Sequence, residues 1–228
     1  MQTDPKQFWE HKILHWERGR YEEKTSPSFL ERIADRSSSS LRFRIEAVGK
    51  GLAPFVKGKK VVELGCGTGI LAGKIVAAGA DAYVGYDIAE AAITEARQRA
   101  EQLRISDKAS FSVGSIDELD DLQADIVFSL GLLDWLNDNE LEALFKISGS
   151  TDYLHAIAEK RFSLSQFFHR LYVHVSYGHR TGAYIPRYYA VGDLEEIIKH
   201  HNVKAVRVLR DPRLSFGAFL TNLPIETL

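Results

Sequence analysis

The clearest alternation of apolar and polar positions starts in the apolar run that closes on Lys60-Val61-Val62. It passes through Glu63-Leu64-Gly65-Cys66-Gly67-Thr68-Gly69 into an amphipathic stretch, 70–78, that stops at Gly79. The pattern predicts a strand, a glycine turn and a helix whose N-terminus opens where a ligand meets bare backbone. Residues 83–87, Tyr-Val-Gly-Tyr-Asp, read as a second short strand ending in a carboxylate, and 124–130 as a further strand. Helical spacing is predicted over 139–147, a strand over 152–158, and a helix over 194–200 with Asp193 as N-cap. Two last strands, 203–209 and 216–220, flank the loop signal Asp211-Pro212-Arg213.

Ahead of these elements, Asp4-Pro5-Lys6-Gln7 has the marks of a helix start, with Asp4 as N-cap and Gln7 able to close a capping box. Trp9, Ile13 and Trp16 then share one helical face. Residues 21–40, with Pro27 and a run of four serines, read as a loop leading into a helix over 41–52.

The spacing of the glycines narrows the ligand. They stand at 65, 67 and 69, with Ile70 where the dinucleotide fingerprint wants glycine, which weakens a nicotinamide or flavin reading. No lysine followed by Ser or Thr stands where a P-loop needs it. Asp87, at a strand tip, offers two acceptor oxygens to the hydroxyls of a ribose; taken alone it is equally a helix N-cap. Glu63 adds a second negative charge, which repels a pyrophosphate and favours a ligand carrying an amine or a sulfonium.

In this order and spacing, residues 59–136 resemble the class I S-adenosylmethionine-dependent methyltransferases. The matching parts are the 63–69 turn, Asp87, Val113-Gly114-Ser115-Ile116-Asp117 after the third strand, and 124–130 as the fourth. The resemblance implies a Rossmann-like α/β fold with a mostly parallel seven-stranded sheet, helices on both faces and an antiparallel last strand. It assigns Gly65, Cys66, Gly67, Thr68 and Gly69 to the methionine part of S-adenosylmethionine, Glu63 to its amino group, and Asp87 with Ile88 to the ribose. Ser115 and Ile116 fall beside adenine, with Leu130 at the end of the fourth strand. Many members have aspartate where Ser115 stands, so the bond to the adenine amino group comes from Ser115, from Asp117 or from a backbone carbonyl. Arg42 matches an arginine that related enzymes of quinone biosynthesis aim at the cofactor carboxylate, although a solvated helical arginine explains it equally well. By the same resemblance, residues 1–52 form a helical cap over the cofactor and 53–228 the methyltransferase core.

Composition adds limits. The 228 residues are 45% apolar with a net charge of -2, which fits one full core and argues against a nucleic-acid backbone as partner. The one cysteine, Cys66, allows no disulfide, and no His/Cys/carboxylate set has metal spacing. No signal sequence or membrane-spanning run is visible, and the cytoplasm is the compartment expected.

Residues 160–190 crowd Phe162, Phe167, Phe168, Tyr172, Tyr177, Tyr184, Tyr188 and Tyr189 into one stretch after the fifth strand, and predict a substrate lid. The competing explanation is that these rings only cover an extra helix. A hydroxyl acceptor needs a base within hydrogen-bond reach. The candidates are Asp134 after the fourth strand, His155 within the fifth, and His169 in the lid; Asp134 also reads as a loop or capping residue, and both histidines have bland alternatives as core or solvated side chains. The sequence thus points to methyl transfer to a small or medium-sized acceptor at oxygen or nitrogen. The rivals are a non-catalytic S-adenosylmethionine-binding subunit that uses the aromatic segment as an interaction surface, and aminopropyl transfer in the same pocket.

Overall fold

The computed structural model describes residues 4–21, 42–120, 122–149, 151–160, 186–201, 206–214 and 217–226. Seven strands form one sheet: β1 (Lys60–Leu64), β2 (Ala82–Asp87), β3 (Ala109–Val113), β4 (Ile126–Leu130), β5 (Asp152–Ala158), β6 (Arg207–Leu209) and β7 (Gly217–Thr221), in the order β3-β2-β1-β4-β5-β7-β6. Strands β1 to β5 pair in parallel, and β7 runs antiparallel to both β5 and β6. The expected sheet is therefore present, with its last strand antiparallel. The chain winds outward from β1 through β2 to β3, then returns to start β4 on the other side of β1. That reversal opens a crevice at the carboxyl ends of β1 and β4, the place where open α/β sheets bind ligands.

Six helices are described: α1 (Pro5–Tyr21), α2 (42–52), α3 (Ala72–Ala77), α4 (Glu90–Gln102), α5 (Asp138–Ser148) and α6 (Val191–His200). Alternation along the strands splits the core between the two faces of the sheet. Val61, Tyr83, Phe128 and Phe219 pack with Val48, Leu52, Ile75 and Ile93 from α2, α3 and α4. Val62, Leu64, Tyr153 and Leu220 pack with Leu144, Phe145, Leu194 and Ile198 from α5 and α6. Phe145 and Phe128 are fully buried, so truncating either to alanine would cost about 3–5 kcal/mol.

Local chemistry explains most boundaries. Asn137 caps α5 by accepting from Glu140 N–H at 3.0 Å, while the Glu140 side chain accepts from Asn137 N–H at 2.8 Å. Asp4 accepts the N–H of Lys6 at 2.9 Å at the start of α1. The expected helix over 70–78 begins only at Ala72, because the turn runs on through Leu71. It ends at Ala77 with Ala78 as C-cap, and Gly79, at φ +99°, follows as the stop. Asp193 is not the N-cap of α6: Ala190 holds that position, and Asp193 lies in the first turn, where a carboxylate favours the positive end of the helix dipole. The fourth strand starts at Ile126 rather than 124, and the Asp125 side chain just before it accepts the N–H of Lys60 at 2.9 Å. Of the expected strand over 203–209, residues 203–205 lie outside the described residues.

Candidate functional site

Three glycines shape the turn after β1. Gly65, Gly67 and Gly69 have φ of +69°, +50° and +69°, a region that L side chains enter only with strain. The N–H groups of Gly65 and Cys66 both donate to the carbonyl of Tyr86, at 2.8 and 3.0 Å, which ties the turn to the end of β2. Gly69 lies against Phe111 and Ala96, so close that an added Cβ would sit 2.8 Å from the phenyl ring.

Four carboxylates surround this turn. Asp87, partly buried at the tip of β2, accepts the N–H of Gly67 at 2.9 Å and that of Ala89 at 3.0 Å. Glu63, on β1, is buried and accepts the hydroxyl of Tyr83. The other two come from α1. Glu17 is buried and accepts the N–H of Thr68 at 3.2 Å and its hydroxyl at 2.5 Å. Glu10 accepts the N–H groups of Glu90 and Ala91, at 2.7 and 3.0 Å. It thereby serves the first turn of α4, whose own N-cap, Ala89, has no side chain for the task.

Burial dominates the electrostatics. It pushes the Glu63 carboxyl up to about 8, aided by the nearby charges of Glu17 and Asp87 and opposed by the Tyr83 hydrogen bond. Burial also raises Glu17 and Asp87 above the usual carboxylate range, against the bonds each accepts. The Cys66 thiol, buried in the turn, is pushed well above its ordinary value by burial and by the same acids, so it stays an unreactive thiol. A pocket of this kind favours a cation and disfavours a further anion.

The remaining cofactor candidates divide. Ile88 follows Asp87 half-buried, and Leu130 ends β4 half-buried. Ser115 opens a 3-10 turn over Ile116–Glu118, its hydroxyl donating to Asp117 while Ile116 is buried in the core beneath. Arg42 lines an open groove with Glu46, Gly49, Lys50, Ile70 and Lys74, and neither Glu63 nor Asp87 borders that groove. Arg44 is the arginine of α2 that turns inward. It is 7% exposed, and an added Cβ on Gly217 would lie 2.6 Å from its guanidinium.

Asp134 lies in the 3-10 turn Leu133–Trp135 after β4. Its carboxylate accepts the N–H of Ala158 at 2.7 Å, and its carbonyl that of Arg187 at 2.6 Å. Burial lifts it to about 6, opposed by the positive charge of Arg44. The chain leaves β5 at Lys160 and returns beside this turn: Lys160 N–H donates to Tyr189 at 2.8 Å, and the Tyr189 hydroxyl to Leu133 at 2.8 Å. Residues 161–185 of the expected lid, His169 among them, lie outside the described residues.

His155 lies inside the sheet. It is fully buried, with its ring nitrogens 3.0 Å from Ser129 Oγ and 3.2 Å from Ser148 Oγ. Ser148 spends its own proton on the carbonyl of Leu144, so it accepts from Nε2–H, and Ser129 donates to Nδ1. Burial lowers this imidazole to about 3. A neutral ring sealed into the sheet meets no acceptor.

Glu10, Glu17, Tyr83 and Arg44 escaped sequence reasoning. Glu10 and Glu17 stand three before and four after Ile13, one helical face that also points at the turn. Tyr83 lies two residues before Gly85, the strand partner of Glu63, hence on the same side of the sheet. Arg44 directly precedes Ile45, Val48 and Leu52, the buried stripe of α2.

Residues 61–148 match the family of methyltransferase domains. A stretch of 70 residues is 40% identical to ribosomal protein L11 methyltransferase of Photobacterium profundum, covering 31% of this chain and 24% of that protein. The Haemophilus influenzae (strain PittEE) protein of the same name is 40% identical over 72 residues, 32% of this chain and again 24% of the relative. The chain thus matches about a quarter of the length of these relatives. The fold is shared with magnesium protoporphyrin IX methyltransferase of Synechocystis PCC 6803 bound to SAH, at a TM-score of 0.71 and 18% identity over 95% of this chain and 96% of that one. An O-methyltransferase family protein of Burkholderia thailandensis superposes at 0.60, with 13% identity over 95% and 69% of the two chains.

Proposed function

From a chain that carries a methyltransferase domain of the class I, S-adenosylmethionine-dependent kind, we propose that the whole protein binds S-adenosylmethionine at the 65–69 turn and transfers its methyl group to a small or medium-sized acceptor, at oxygen or nitrogen. The observation that carries this reading is the joint between Asp87 and Gly67, which fixes the acid of β2 beside the turn of β1. A carboxylate has about four acceptor positions, and the two N–H bonds made to Asp87 leave room for ribose hydroxyls. Glu63 would receive the cofactor amino group, and the amides of Cys66, Gly67 and Thr68 would border its methionine part. Ser115, Asp117 and Ile116 would border adenine.

The cofactor supplies a methyl group on a sulfonium, which leaves as a neutral thioether in an in-line displacement. The protein has to align the acceptor and keep water out. Asp134 and Arg44 stand beside the end of β4, where the acceptor would enter. Asp134 near its shifted value of about 6 could hold a proton of a hydroxyl or amine acceptor. A lid function for 160–190 is supported by its flanks, since Lys160 and Tyr189 meet at the carboxyl end of β5 next to the Asp134 turn. Among the described residues two helices precede the core, and of these α1 lies over the turn, which favours a cap that includes the first of them.

The acceptor is tested by transfer of a labelled methyl group to a panel of phenols, carboxylates, amines and peptides, with Asp134→Asn alongside. The proposal calls for turnover on a small acceptor, slowed at least ten-fold in the variant if the acceptor carries a proton. Transfer to peptides alone would replace the small acceptor by a protein.

Among the described residues, no helix is long and apolar enough to cross a membrane. No group of three or more His, Cys, Asp or Glu among them could hold a metal ion.

A further inference from the structure

We propose that Glu17 is a gate residue: its carboxylate holds the Thr68 end of the glycine turn closed and must leave before the cofactor can bind. This rests on the functional reading above. Glu17 takes both the N–H and the hydroxyl of Thr68. Its Oε1 also stands directly over Gly67, in the place that a side chain there would fill, with Ile13 of the same helix 3.8 Å from that position. This is the surface along which the methionine part of the cofactor would have to pass. The carboxylate therefore plays the part of a bound ligand carboxylate, and two such groups cannot share one set of donors.

Two contacts show that α1 closes as a unit. Glu10 grips the first amides of α4, and Trp9 packs edge-on against Trp135 of the turn after β4, with ring centroids 4.9 Å apart. The helix thus bridges the ends of β1, β2 and β4 across the crevice. Charge points the same way. Asp87 repels the Glu17 carboxylate and Arg99 attracts it, so opening relieves the one while closing keeps the other and satisfies Thr68. A gate with opposed terms of this kind is set to open for a ligand that brings positive charge.

The alternative role, in which Glu17 stays and clasps the cofactor amino group, predicts the opposite sign. Titration calorimetry of the full chain with S-adenosylhomocysteine separates them, using Glu17→Ala and Glu17→Gln. The gate predicts that Glu17→Ala binds at least five-fold tighter than the native chain, with Glu17→Gln between the two. It also predicts faster amide exchange across 5–21 in the unliganded variants. Equal or weaker binding by a folded variant while the native chain binds would overturn the gate and leave the pocket assignment standing. If the alanine variant does not fold, the glutamine variant decides by the same sign. Absence of binding by all three chains would instead overturn the pocket assignment and the gate with it.

Discussion

One oxygen of Asp87 accepts the N–H of Gly67 at 2.9 Å while the other accepts the N–H of Ala89 at 3.0 Å. A single side chain at the tip of β2 thereby joins the turn after β1 to the start of α4. The acid assigned to the ribose also shapes the surface on which the methionine part of the cofactor would lie.

Replacing Asp87 by Ala removes both anchors and the acceptor of the ribose hydroxyls. Affinity for S-adenosylmethionine should fall ten-fold or more, about 1.5 to 3 kcal/mol for hydrogen bonds to a charged group. Calorimetry on a variant with native circular dichroism checks this. Unchanged affinity would remove the ribose assignment.

Gly67 and Gly85 separate a binding glycine from a packing glycine. At Gly67 an added Cβ meets only the far end of Glu17 and, at 3.8 Å, Ile13. At Gly85 it meets Cys66 Sγ and Phe111, each at 2.8 Å within the core. Gly67→Val should lose about 1–2 kcal/mol to backbone strain at φ +50° and lose cofactor binding, whereas Gly85→Val should be destabilised by about 2 kcal/mol or more through overpacking. Thermal unfolding of the pair, followed by a binding assay on whichever folds, decides.

Stability should decline as pH rises from neutral. Glu63 titrates near 8 in the folded chain against an ordinary 4.5. The folded state then holds the extra proton between those values, and its contribution is full below 4.5 and lost as pH climbs to 8. His155 has the opposite sign: its folded value of about 3 lies below the ordinary 6.5, so its contribution is full above 6.5 and lost as pH falls toward 3. From 6.5 to 8 the Glu63 effect stands alone among the two; Glu17 and Asp87, also raised by burial, shift stability with the same sign wherever they titrate. Unfolding free energy should fall by up to about 2 kcal/mol over that interval, and Glu63→Gln should flatten the curve. Denaturant titrations at pH 6.5 and 8 measure it; an equal slope in the variant would refute the account of Glu63.

His155→Leu should lower stability by about 2 kcal/mol, because Ser129 loses its acceptor and Ser148 its donor inside the sheet. Below its melting temperature the variant should keep native affinity and turnover. Loss of turnover with native stability would return His155 to the reaction.

The glycine turn and Asp87 were legible because their signals are local: positive φ at alternate glycines, and a carboxylate at the end of a short strand. The mostly parallel sheet with its antiparallel last strand followed from the family resemblance those signals carry. What stayed hidden depended on which surfaces meet across long separations. Glu17 and Thr68 are 51 positions apart, Glu10 and Glu90 80 apart, and nothing in the α1 pattern tells that its Ile13 face lies on the turn. Arg42 and Arg44 differ by about 200° around a helix, so only the phase of Ile45, Val48 and Leu52 separates the outward arginine from the buried one. Asp193 misled because a carboxylate suits both the cap and the first turn, and the chain enters α6 from Ala190.

The central claim is that main-chain amides of the 65–69 turn, with Glu63 and Asp87, form the seat of a sulfonium nucleoside. Equilibrium titration of the purified full chain with S-adenosylmethionine tests it most directly. The account predicts saturable binding at one site per chain in the micromolar range, reduced at least ten-fold by Asp87→Ala. Absence of binding of S-adenosylmethionine and S-adenosylhomocysteine up to millimolar concentrations would contradict it.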